Sequence, residues 1–128
     1  MIKRIIHIES YWKVIVYFNV DYDLFYIISD EMKGLDVSKR TIDEIYGEMH
    51  SGKAKGVTLS NLDKHISVVL FNEHSSDRDY LNTIVHEAEH VKQAMLKAYH
   101  VEDKGEPPAH TVGHLAMLIY DTWRDYIQ

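Results

Sequence analysis

The stretch His86-Glu87-Ala88-Glu89-His90 lies inside a run whose apolar residues, Leu81, Ile84, Ala88, Val91, Met95 and Tyr99, recur every three or four positions. That spacing predicts an amphipathic helix. Ser76, followed three positions later by Asp79, resembles a capping box and predicts where the helix starts; Tyr99 or His100 is where it should stop. At about 100° per residue, His86 and His90 stand only ~40° apart on successive turns, so two imidazoles can reach one ion. Glu87, turned ~100° from His86, flanks the pair, where a carboxylate can take a proton from water at the ion. Histidines serving as core residues would share the apolar stripe. These two face away from it, with Asn82, Gln93 and Lys97 as neighbours. Zinc is the expected metal: the chain has no cysteine, which leaves imidazole and carboxylate as its ligands.

A catalytic zinc takes three protein ligands and keeps a fourth position open. The metzincin arrangement would place glycine three residues and histidine six residues after His90, but Gln93 and Leu96 stand there. Downstream, Val101 to Gly105 reads as a charged loop, and Pro107-Pro108 is tolerated best in the first turn of a new helix running to about Tyr126. Glu106 stands at the start of that helix and His110 one turn later on the same face, so either can supply the third ligand. His110 is alternatively a donor to the oxyanion formed when water adds to a carbonyl. His114, Tyr99 and Tyr120 are weaker candidates for that role, and Asp103 is a candidate acceptor for a ligand imidazole. Gly113, with no side chain, would let the two helices approach closely.

Outside this region the pattern is that of a small mixed domain. Trp12 to Val20 alternates, with Trp12, Val14, Val16, Phe18 and Val20 on one side and Lys13, Tyr17 and Asn19 on the other, which predicts a half-buried strand. Ile2 to Ile8 also reads as extended, with no good turn signal between the two. Asp21-Tyr22-Asp23 caps a helix that Gly34 closes in a left-handed conformation, and Ser38 starts a second helix ending at Gly52. Gly56 to Ser60 and His65 to Phe71 form a hairpin across Asn61-Leu62-Asp63. At 128 residues, the expectation is one domain spanning 1–128 of α+β class.

The formal charge of -6 argues against a nucleic-acid partner, and Lys53 and Lys55 read as ordinary loop charge. The apolar run after Lys3 and Arg4 is interrupted by His7, Glu9 and Lys13, which does not suit a signal peptide, and no stretch approaches the ~20 apolar residues of a membrane span. A cytoplasmic, soluble protein with no membrane partner is the expectation.

HEAEH at 86 to 90, with Glu106-Pro107-Pro108-Ala109-His110 downstream, resembles the small zincin-like, gluzincin-type metallopeptidases of bacteria and bacteriophages. The second segment is similar to the E-x-x-A-[D/N] run that carries the third ligand in several such families; His110 stands where they have Asp or Asn. The resemblance covers about Gly56 to Tyr126. It implies an antiparallel or mixed sheet packed on the HExxH helix and a C-terminal ligand helix. It also implies zinc on His86, His90 and Glu106, and hydrolysis of a peptide or protein by a zinc-activated water with Glu87 as general base and His110 assisting. The alternative is a metal-stabilised binding or structural module without turnover, which the small size favours.

Overall fold

The computed structural model describes the backbone of residues 1–127 and the side chains of all of these except 106–110 and 127. Four strands and four α-helices follow in the order β1 (Ile2–Ile8), β2 (Trp12–Phe18), α1 (Phe25–Gly34), α2 (Lys39–His50), β3 (Gly56–Asn61), β4 (Ile66–Phe71), α3 (Asp77–Ala98) and α4 (Glu106–Ile127). The fold is α+β, with one mixed sheet ordered β1-β2-β4-β3. β1 runs antiparallel to β2 (Ile5 opposite Ile15), β2 parallel to β4 (Ile15 opposite Val68), and β3 antiparallel to β4 (Leu59 opposite Val68).

The period-two alternation of the central strands sorts their side chains into two cores. Val14, Val16 and Phe18 of β2, with Val69 and Phe71 of β4, meet Tyr80, Ile84, Ala88, Val91 and Met95 of α3 and Leu115, Ile119 and Trp123 of α4. Ile15 and Tyr17, with Val68 and Leu70, meet Phe25, Ile28 and Met32 of α1 and Ile42, Ile45 and Met49 of α2. Helices therefore cover both faces, and β2 is buried on both sides rather than half-buried. Tyr17, expected on the open side, is 1% exposed. Its hydroxyl reaches Glu31 Oε1 of α1 at 3.1 Å, and Lys3 pairs with the same carboxylate at 2.6 Å. Burial alone would raise the Glu31 carboxyl; the hydrogen bonds and charge of Lys3, helped by Tyr17, outweigh it and hold the group below its ordinary value.

Most turns follow local chemistry, but several non-glycine residues take a positive φ. β1 and β2 are separate strands joined through Glu9, which sits at φ 56° without glycine's help. At the end of α1 the left-handed residue is Asp36 (φ 64°), a type whose short polar side chain tolerates that region, while Gly34 stays inside the helix. Ser38 caps α2 by accepting from the Thr41 amide, and Gly52 follows it at φ 80°. Ser76 caps α3 in the same way through the Asp79 amide at 3.1 Å. At that end of α3, Asp77 accepts from Tyr120 Oη (2.7 Å) and Trp123 Nε1 (3.1 Å), which ties α4 to the start of α3. No helix among the described residues is long and apolar enough to cross a membrane.

Candidate metal centre

The 22 residues of α3 carry the motif, capped and amphipathic. Its buried side is Tyr80, Ile84, Ala88, Val91 and Met95; Leu81 and Tyr99, expected on that stripe, are 38% and 42% exposed. Leu81 lies in the first turns of the helix, and Tyr99 is its C-cap, beside Tyr11, Trp12 and His65. Two ionisable residues mark the edges of the buried arc: Glu87 and Lys92 are 3% and 5% exposed. Glu87 faces β3, the outer strand, and Lys92 faces the loop that leads into α4.

His86 and His90 lie on the outward side of α3, both exposed. Their ring centres are 5.0 Å apart with planes at 82°. Two imidazoles sharing one tetrahedral ion at Zn–N ~2.1 Å place their ring centres about 5 Å apart, a separation this pair matches. Among the described residues no group of three His, Asp or Glu side chains assembles around an ion. Both proposed third ligands, Glu106 and His110, have side chains outside the described residues.

The Glu87 carboxylate is held rather than free. Thr58 of β3 donates to Glu87 Oε1 at 2.9 Å, and Glu87 Oε2 lies 3.9 Å from His86 Nε2. Burial of a carboxylate is costly without a hydrogen-bonding partner, so this placement depends on Thr58. Close approach of α3 to β3 depends in turn on Gly56. A Cβ there would lie 2.8 Å from Thr83 Cγ2, 3.1 Å from Glu87 Cγ and 3.3 Å from the Leu70 carbonyl oxygen. Gly56→Ala is therefore expected to lower stability by about 1–3 kcal/mol, as overpacking does, and to displace Glu87. Denaturant unfolding checks the first effect, and an unchanged midpoint would mean that α3 gives way without cost. The glycine expected to permit helix approach, Gly113, is exposed and a Cβ there would touch nothing. The tight contact is between helix and strand instead.

Lys92 ties down the loop before α4. Its ammonium pairs with Glu89 Oε1 at 2.7 Å and Asp103 Oδ1 at 2.8 Å, and these two hydrogen bonds, Asp103 first, hold its pKa above the ordinary lysine value. Asp103 thus accepts from Lys92, as does Glu89, which is not simply a solvated charge. A lysine placed four residues after Ala88 and one after Val91 was a signal of such a buried pair; Thr58, contributed from 29 residues away, left none.

The remaining candidates are engaged elsewhere. Tyr99 donates to the Tyr11 carbonyl at 3.1 Å, and Tyr120 to Asp77. His114 lines an apolar cavity of about 620 Å³ with Met95, Tyr99 and Leu115, which neither His86 nor Glu87 enters. The space in front of Glu87 is a separate cleft of about 430 Å³, bounded by Asn82, Thr83 and His86 on one side and by Gly56 on the other, with Lys53 and Lys55 on its rim. Those two exposed loop lysines thus lie beside Glu87 and His86. Compared with known protein families, with curated proteins and with solved structures, the chain matches none of them.

Proposed function

We propose that the chain is a small zincin-like, zinc-dependent metallopeptidase. The observation that carries this reading is a buried carboxylate, Glu87, hydrogen-bonded to an outer strand beside two imidazoles whose ring spacing suits one ion, with Glu87 and His86 lining one cleft. His86 and His90 would hold the metal, with Glu106 completing the set from the start of α4. When bound, zinc supplies a Lewis acid that makes water acidic near neutral pH and polarises a carbonyl. Glu87 takes a proton from the water that attacks the peptide carbonyl carbon and gives it to the amine nitrogen as the C–N bond breaks. Thr58 keeps the carboxylate aimed while this happens.

β3 supports a peptide rather than a small-molecule substrate. Among the described residues it pairs on one side alone, with β4, so its other edge can add an extended chain as a further strand. Thr58 lies on this strand, which brings such a chain alongside Glu87. The test is a zinc-loaded sample incubated with a mixed peptide library and read by mass spectrometry. Cleavage that stops with a chelator and returns with zinc is the expected result. A fully zinc-loaded protein that cuts nothing would leave the metal-stabilised module as the better account.

A further inference from the structure

We infer that Lys53 and Lys55 select substrates carrying a carboxylate close to the scissile bond, so that the cleft takes acidic peptides. This rests on the peptidase reading above and names its substrate class. Both lysines line the cleft that contains His86 and Glu87. Both are exposed, and neither has a carboxylate within 4.0 Å among the described residues, although the charge of Lys55 is felt by Asp79. The backbone that carries them is fixed. The Asn72 side chain donates to the carbonyls of Met49 (2.9 Å) and Ala54 (3.1 Å), and the Asn72 amide donates to the Lys55 carbonyl at 3.0 Å. The Lys53 amide is held by Ser51 Oγ at 3.3 Å. Two cations are thereby presented at one place on a chain whose net charge is -6. An anionic peptide repelled by the rest of that surface is favoured at this rim.

Position along the substrate follows from the strand. Gly56, in contact range of Glu87, is the first residue of β3, and Lys55 and Lys53 precede it by one and three residues. A peptide lying along β3 advances about 3.3 Å per residue, which puts the favoured acidic group within about three residues of the bond that is cut. The carboxylate can come from an Asp or Glu side chain or from a free C-terminus. A peptide is favoured over a polyphosphate or nucleic acid because the free edge of β3 offers backbone hydrogen bonds and Glu87 faces the same cleft.

The experiment compares kcat/KM of the zinc-loaded protein on matched peptides with Glu, Gln or Lys near the cut, each with a free or amidated C-terminus. The same peptides are titrated against zinc-loaded Glu87→Gln. Preference for the Glu peptide over Gln by about three- to tenfold is expected, as two exposed ion pairs supply. It should weaken with salt and reverse toward the Lys peptide in Lys53→Glu/Lys55→Glu. A difference between free and amidated C-termini alone assigns the carboxylate to the chain end. Equal use of Glu, Gln and Lys peptides with free and amidated ends alike overturns the inference and leaves the peptidase reading standing. Selective binding of acidic peptides by Glu87→Gln with no cleavage by the parent keeps the cleft's preference for acidic peptides and removes the peptidase reading. Binding of no peptide, or tighter binding of a short oligonucleotide than of any peptide, overturns the inference.

Discussion

Glu87→Gln is expected to lower peptide cleavage by the zinc-loaded protein by about 10²–10⁴-fold, the range a general base contributes, while zinc content stays the same. Glutamine nearly matches glutamate in shape and still accepts from Thr58, so the helix and the neighbouring imidazoles should keep their positions. What is lost is the ability to take a proton. Steady-state kinetics should show the fall in kcat with little change in KM, since the interaction is made in the transition state and not in substrate binding. Cleavage at the parent rate would show that Glu87 is a structural carboxylate and that the proton goes elsewhere.

A loss of at least about a hundredfold in zinc affinity is expected for Glu106→Ala, exceeding what removal of a supporting group costs. His110→Ala should lower affinity less and reduce cleavage more, as a donor to the oxyanion would. The assignment draws on sequence position. Glu106 opens α4, and the loop before it is anchored by Asp103 on Lys92, only two residues beyond His90. The reverse order, with His110→Ala releasing the metal and Glu106→Ala retaining it, would make the centre a three-histidine one.

Much of this arrangement was legible in local chemistry. Ser38 and Ser76 begin helices where their hydroxyls can accept an early amide, and the spacing of Ile84, Ala88, Val91 and Met95 assigns the inner face of α3, with His86 and His90 opposite. Those signals act over a few residues, and the structure preserves them. Long-range packing is what local pattern does not carry. Tyr17 alternates like a surface residue, yet α1 lies over it and Glu31 takes its hydroxyl. Gly34 and Gly113 carry the expected residue type, yet Asp36 takes the left-handed turn and Gly56 the tight contact. The same limit applies at the site. The histidine pair can be read from four residues of spacing, whereas Thr58, Lys53 and Lys55 join it through pairing of β3 with β4 and packing of α3 on β3.

The central claim is that α3 presents a metal-binding imidazole pair, and zinc competition titration against a chromophoric chelator tests it most directly. The account predicts one zinc per chain for the parent protein, and at least about a hundredfold weaker binding in His86→Ala and in His90→Ala, with the fold retained by circular dichroism. Zinc held equally well by both variants, or not bound by the parent, would contradict it.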